Sequence, residues 1–364
     1  MRIETLTIEQ LRLLDRVELE PGAGINLLVG ANGAGKTSIL EAIHLLSCGR
    51  SFRGGSNEAL IRRGEPELRV VATLLAEREV RSVRLGLARN ARAWSARLDG
   101  QPVEQLSRLF RELAVVCFEP DSHVLVSGSS EHRRRFIDWA LFHVEQGFIG
   151  PWRRYQRALK QRNALLKQSP SDSALAPWEA ELAEQGACID QYRVNWITNF
   201  LPVLAAMTQR LLPELGEVRL RFQRGWTGGE DAPSLRAALG EARLREQSLG
   251  HTTVGAHRSD WSVGFERLPV REMLSRGQEK LVVLACLLAQ ASVFAAVRQE
   301  WPVLLLDDLP SELDAGHLDA TVQWLAEVPA QAFISTTARL PLPAAMGRQQ
   351  RVFHVERGQL ERLV

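Results

Sequence analysis

Cysteine is scarce in this chain: its four residues, Cys48, Cys117, Cys188 and Cys286, are spread widely over 364 positions. That spacing excludes a Cys-x-x-Cys metal or redox pair and a dense disulfide framework, and it suits a reducing cytosol. An excess of charge of one sign is lacking too. With a net charge of +2 and a pI near 8.5, any attraction for nucleic acid must come from a local cluster. The first fourteen residues hold no long apolar run, because Arg2, Glu4, Glu9 and Arg12 interrupt it. No later stretch reads as long enough to cross a membrane, so the expectation is a cytoplasmic protein, neither exported nor inserted. Internal repeats and low-complexity tracts are absent. What is present, 45% hydrophobic and 24% charged residues, is the balance of a folded globular protein. The length suits two domains or one large interrupted one.

Periodicity divides the chain into three parts. Alternating apolar residues predict strands around Ile3, Leu6 and Ile8 and around Val17 and Leu19. A Pro-Gly turn at 21–24 then leads into the apolar run 25–29. Residues 68–99 alternate again and end in Asp99 and Gly100, a hairpin signal that predicts an antiparallel sheet. From 130 to 248 the period becomes helical, with Phe136, Ile137, Ala140, Leu141 and Val144 on one face and Ile189, Tyr192 and Trp196 on another. Pro170, Pro177, Pro202 and Pro213 predict breaks between separate helices there. Strand signals return at Val254, Val263 and Phe265. The expected boundaries are 1–129 for the first half of one domain, 130–248 for a helical insertion and 249–364 for the second half.

Gly30, Ala31, Asn32, Gly33, Ala34, Gly35, Lys36 and Thr37 fit the phosphate-loop pattern, placed after an apolar strand and opening a helix. Glycines there let successive N–H groups turn inward, and the helix amino end adds positive potential. Lys36 is placed to reach the β and γ phosphates of ATP, and the Thr37 hydroxyl to ligate Mg²⁺. The apolar run 303–306 ends in Asp307 and Asp308, the form of a Walker B strand. Such a strand delivers Asp307 to the metal and Asp308 to the attacking water as base; taken alone, two acids there would equally cap the next turn.

Residues 274–278, Leu-Ser-Arg-Gly-Gln, resemble the signature of ABC ATPases. Ser275, Gly277 and Gln278 open a helix whose amino end would bind the γ phosphate held by a second subunit, giving Ser275 a part in catalysis. A plain Ser N-cap is the competing reading. Residues 311–314, Ser-Glu-Leu-Asp, follow as the D-loop does in those ATPases. The resemblance implies an α/β fold: an ABC-type P-loop ATPase domain with a mixed sheet and an antiparallel sheet, interrupted by the helical insertion.

Further segments narrow the resemblance: 133–138, 160–167 (Lys-Gln-Arg-Asn-Ala-Leu-Leu-Lys), 223–226 (Gln-Arg-Gly-Trp), 255–260 (Gly-Ala-His-Arg-Ser-Asp) and 307–314. Together with the phosphate loop and signature, they make nearly the whole chain similar to the RecF family of bacterial recombination mediators. The short insertion agrees, since the chromosome-maintenance relatives carry far longer arms. The resemblance implies weak, DNA-stimulated ATP hydrolysis and an ATP-dependent homodimer on double-stranded and gapped DNA. It also implies work with RecO and RecR to load RecA where double and single strands meet. Three departures from the wider ABC pattern stand out. Asp308 replaces the usual glutamate and is one methylene shorter, Ser335, Thr336 and Thr337 stand where a switch histidine is expected, and residues 115–121 hold no Q-loop glutamine. Slow turnover follows from the first.

Between 132 and 167 there are nine basic residues, Arg133, Arg134, Arg135, Arg153, Arg154, Arg157, Lys160, Arg162 and Lys167, against two acids, Asp138 and Glu145. This is a candidate DNA surface, or else a solvated helical face. His257 and Arg258 read either as site residues or as a satisfied structural pair. Two other functions compete: the nucleotide-binding subunit of a membrane transporter, which predicts an aromatic A-loop and a switch histidine, and an ATP-binding regulator without turnover.

Overall fold

The computed structural model describes residues 1–54, 57–76, 81–168, 171–227, 234–268, 273–338, 340 and 350–363. Pro170 lies outside them. The chain divides into two compact units, Met1–Ser122 with Val283–Val364, and His123–Val282.

The first unit opens with β1 (Arg2–Leu11), β2 (Leu14–Leu19) and β3 (Ile25–Val29), then the helix α1 (Lys36–Cys48). Next come β4 (Glu67–Ala76), β5 (Arg81–Asn90), β6 (Trp94–Leu98), β7 (Gln101–Pro102), the short helix α2 (Leu106–Phe110) and β8 (Val115–Phe118). The predicted alternation is realised in β4 and β5, where Leu68, Val70, Ala72, Leu74, Val83, Leu85 and Leu87 are buried between outward-facing residues. Asp99 and Gly100 turn the β6–β7 hairpin with φ of 50° and 81°, the left-handed pair that such a tight turn requires.

The second unit contains α3 (Val124–Ser127), α4 (Ser130–Val144), α5 (Ile149–Leu166) and α6 (Asp172–Leu211). β9 (Val218–Gln223), α7 (Leu235–Leu249) and β10 (Asp260–Phe265) follow, and the division between units falls inside α8 (Arg276–Arg298). Two expectations are corrected here. Pro177 and Pro202 do not break the chain into separate helices, for α6 runs through both over 40 residues. Each proline removes one backbone hydrogen bond at roughly 3 kcal/mol, and the helix buries Leu175, Leu182, Ile189, Trp196, Phe200, Leu204 and Leu211 along its length in compensation. Pro213 does lie beyond its end, opening a 3₁₀ turn.

The second correction concerns the expected return at 249. The compact second unit continues to Val282, and among the described residues β10 pairs only with β9, from Asp260 opposite Gln223 to Phe265 opposite Val218. Val254 belongs to a loop, not to a strand. α8 also departs from the sequence reading, being long and apolar enough by length and composition to cross a membrane. Its residues Val282, Val283, Leu284, Ala285, Leu288 and Ala289 are nevertheless buried inside the protein, as in a core helix.

The first unit resumes with β11 (Val303–Leu306), α9 (Leu309–Glu312), α10 (Ala315–Glu327), β12 (Ala332–Thr336), β13 (Arg351–Glu356) and β14 (Gln359–Arg362). Two six-stranded sheets result, one antiparallel in the order β2-β1-β4-β5-β6-β7, the other mixed in the order β14-β13-β3-β12-β11-β8. In the mixed sheet β13, β3, β12, β11 and β8 run parallel. α1 packs against both sheets and is buried nearly all round, including Ile39, Leu40, Ile43, Leu45 and Leu46. This apolar core joins Ile3, Leu6 and Ile8 of one sheet to Leu28, Leu305 and Phe333 of the other.

Candidate nucleotide-binding site

Parallel register assembles the site. Thr336 pairs with Val29, and Leu306 pairs with both Ile334 and Phe118. The carboxyl ends of β3, β12, β11 and β8 therefore meet at one edge of the sheet, where open α/β folds bind ligands. The loop after β3 is shaped by two glycines that nothing else can replace. A Cβ on Gly30 would stand 2.1 Å from the Val355 carbonyl oxygen, and Gly35 has φ of 117° with Leu14 2.9 Å from any added Cβ. The chain thus reaches the amino end of α1 with its N–H groups uncovered by side chains.

Lys36 follows at once. Its ammonium donates to the carbonyls of Gly30, at 2.6 Å, and Ala31, at 2.9 Å, so the loop itself holds the cation. Burial lowers the Lys36 pKa, and the charges of Asp308 and Asp307 oppose that shift. The Thr37 hydroxyl donates to Asp307 Oδ1 at 3.0 Å, and the Ser335 hydroxyl donates to the same oxygen at 2.6 Å. Ser335 also accepts the Asp308 N–H at 2.8 Å, so a single hydroxyl on β12 orients both acids. Asp308 sits in the left-handed region at φ 51°, and its Oδ1 accepts from the Ser311 hydroxyl at 2.9 Å.

A cavity of about 170 Å³ opens here, lined by Asn32, Gly33, Lys36, Thr37 and Asp308 with Leu13 and Arg53. Arg53 was not among the residues singled out from the sequence. It comes from a loop braced to α1: its N–H donates to Ser51 Oγ, Ser51 donates to Glu41, and Arg12 donates to both Glu41 oxygens. A buried glutamate at position 41 was its only signal. Glu119, immediately after β8, stands where no glutamine was found. Burial pushes its carboxyl up to about 7, helped by the charges of Asp121 and Asp307 and opposed by His44. Asp307 is raised as well, first by burial, while Ser335 and Thr37 lower it. The Asp307 carboxylate and the Thr37 hydroxyl beside it are the kind of oxygen donors a hard divalent cation takes. Among the described residues no cluster of three His, Cys, Asp or Glu could cage a metal.

Residues 2–361 match the family model described as the RecF/RecN/SMC N terminal domain. The DNA replication and repair protein RecF of Xanthomonas euvesicatoria pv. vesicatoria (strain 85-10) is 48% identical over 365 residues, covering 100% of this chain and 99% of that protein. The chain belongs to the RecF family. RecF of Stenotrophomonas maltophilia (strain R551-3) is 47% identical, with 99% of each chain covered. A solved structure of the recombination mediator protein RecF with ATP, in the RecFOR pathway, superposes with a TM-score of 0.89 at 23% identity, over 100% of this chain and 97% of that one. The fold is therefore the RecF and SMC type of ABC ATPase.

In this RecF-family chain the signature lies in the second unit as a reciprocal capping box. The Gln278 N–H donates to Ser275 Oγ at 3.3 Å, and the Ser275 N–H donates to Gln278 Oε1 at 3.0 Å. The Ser275 hydroxyl accepts in this pair, which leaves its own proton available to a phosphate oxygen. Ser275 and Gly277 are exposed, and a Cβ at Gly277 would meet nothing within 4 Å.

The nine basic residues proposed for DNA do not form one surface. Arg133 is buried, with a two-pronged ion pair to Asp260 at 2.6 and 3.0 Å and a bond to the Gly128 carbonyl. Arg162 is fully buried between Glu179 and Glu246, with Thr252 at 2.9 Å. These two are structural, because a helical face that packs on other elements must neutralise any arginine it encloses. Arg134 is half-buried and donates to the Ser259 carbonyl. Arg135 pairs with Glu131, and Arg154 donates to Gln185. Arg153, Arg154, Arg157, Lys160 and Lys167 are exposed on or just beyond α5. His257 is structural as well: its Nε2 donates to the Thr252 carbonyl at 3.1 Å, so Nδ1 accepts from the Tyr155 hydroxyl at 2.7 Å. Burial lowers its pKa to about 4.

Proposed function

We propose that this chain is an ATP-driven switch on DNA, slow in hydrolysis, acting with RecO and RecR to load RecA at single-strand gaps in the cytoplasm. The convergence of Lys36, Thr37, Asp307, Asp308 and Ser335 at the carboxyl edge of one sheet carries the reading. Phosphates entering the loop would take the Lys36 ammonium from the Gly30 and Ala31 carbonyls, which exchanges neutral acceptors for charged ones. Mg²⁺, when bound, would supply charge neutralisation and Lewis acidity at the phosphates. Thr37 and Asp307 are the residues that would hold it, with the Thr37 hydroxyl turning from the carboxylate to the metal. Asp308 accepts the proton of the attacking water.

Turnover is slow in this reading because the base is an aspartate whose carboxylate also accepts from Ser311. Dimerisation follows from the signature, since Ser275 and the Gly277 N–H offer an exposed helix amino end to an anion on a second copy. A transporter subunit is disfavoured by family membership and by Leu13, not an aromatic ring, at the cavity rim. Sedimentation with ATP, ADP and no nucleotide, each with and without duplex DNA, tests the proposal. A dimer with ATP that DNA stabilises is expected. A monomer under all conditions, together with no phosphate release, would leave a regulator without turnover.

A further inference from the structure

Residues 81–98, which form β5 and β6, contain five arginines, Arg81, Arg84, Arg89, Arg92 and Arg97, and no acid. Alternation along β5 sends Val83, Leu85 and Leu87 into the core and Arg84, Gly86 and Ala88 to the outer face of the antiparallel sheet. In the ladder Gly86 lies between Val71 and Arg97, and Ala88 between Arg69 and Ser95. Small side chains at Gly86, Ala88 and Ser95 therefore make a floor, with Arg69, Arg84 and Arg97 standing around it. The result is a trough of about 800 Å³. Its two acids are already engaged: Glu67 pairs with Arg69 at 2.9 Å, and Asp99 accepts the Arg84 N–H in the turn at 2.7 Å. Arg84, Arg92 and Arg97 are exposed.

We propose that this trough is a docking surface for the phosphodiester backbone of duplex DNA. The inference rests on the reading of the chain as a DNA-binding switch, and it places contacts on the first unit in addition to those proposed for α5. Guanidinium forks match phosphate oxygens in pairs. A floor of glycine, alanine and serine lets a backbone approach closely. Duplex is favoured over single strand because among the described residues no aromatic ring lines the trough, whereas single strands are held by bases stacked on such rings. Trp94, the one ring in these two strands, is already engaged by the Arg89 guanidinium 5.6 Å above it.

The test is a salt titration of duplex and single-stranded DNA binding, with ATP, by the full chain and two variants. One carries Arg69→Gln, Arg84→Gln and Arg97→Gln; the other carries Gly86→Asp, which sets a carboxylate on the floor. Gly86 tolerates a side chain, since an added Cβ meets only Arg97 Cβ at 3.7 Å and its carbonyl at 3.9 Å, and Gly86→Ala serves as the control. Three lost phosphate contacts flatten the slope of log affinity against log salt by about 2 to 3 and lower duplex affinity at low salt at least about tenfold. Gly86→Asp is expected to weaken duplex binding as well, with Gly86→Ala, ATP binding and melting temperature unchanged. An unchanged slope in both variants, while the parent binds duplex, overturns the trough and leaves the DNA switch standing. A parent that binds no duplex at any salt overturns both. A loss confined to single-stranded DNA overturns the choice of duplex.

Discussion

At the scale of single residues, the site is held together by hydroxyls. Ser335 donates to Asp307 and accepts from the Asp308 N–H. Ser335→Ala leaves the Asp308 N–H without its acceptor, a cost of about 1–3 kcal/mol, and leaves Asp307 Oδ1 with the Thr37 hydroxyl alone. Both acids then lose their alignment, so hydrolysis is expected to fall at least about tenfold, with nucleotide affinity less affected. Phosphate release and equilibrium ATP binding separate the two effects. Lys36→Met is expected to abolish ATP binding, whereas Asp308→Asn keeps it and lowers turnover by about 10² or more by removing the base. Wild-type turnover in Asp308→Asn would overturn the assignment of the base. The loop, Lys36, Thr37, Asp307 and Asp308 were legible in the sequence because each stands at a fixed offset from an apolar strand. Arg53 and Glu119 were not, since their place depends on how loops return to the sheet edge.

At the scale of elements, helical period located the second unit but misjudged its parts. Proline signals are local, while the decision to continue α6 through Pro177 and Pro202 was made by the apolar stripe it buries. Counting charge failed at Arg133 and Arg162 for the same reason: a sequence shows a cation, not the carboxylate that a distant element brings to it. Arg162 ties α5 to Glu179 on α6 and Glu246 on α7, with Arg243 also on Glu179. Arg162→Ala leaves the buried Glu246 carboxylate without its cation, while Arg243 still pairs with Glu179, and is expected to destabilise the protein by about 3 kcal/mol in a denaturant titration. His257 adds a pH dependence. Its folded pKa, lowered to about 4 from 6.5, favours the neutral ring. The associated stability is full above pH 6.5 and is lost as pH falls toward 4, about 3 kcal/mol at most. Melting temperatures across that range should fall less steeply for His257→Gln than for the parent.

At the scale of the whole molecule, the proposed dimer has the signature serve a phosphate on another copy, so nucleotide binding and dimerisation would separate by mutation. Ser275→Arg puts a long cation where Gly277 and the helix amino end would receive the γ phosphate, and it also breaks the capping box with Gln278. A lost cap costs about 1 kcal/mol, too little to unfold the protein. Monomeric ATP binding should therefore survive while the ATP-dependent dimer disappears from sedimentation profiles; a Ser275→Arg protein that still dimerises would overturn the composite site. DNA binding then reports on the dimer. Two subunits on one duplex roughly double the phosphate contacts, and each contact adds about 0.9 to the salt slope. The parent slope should steepen with ATP, and the Ser275→Arg slope should not. Replacing Arg157, Lys160 and Lys167 by Gln, all exposed at α5, should flatten the slope by about 2 to 3 per subunit while ATP binding holds, equally for unrelated sequences, because phosphate contacts position a protein without reading bases. An unchanged slope in that variant would return the α5 residues to a solvated face and leave the sheet trough to carry the contacts alone.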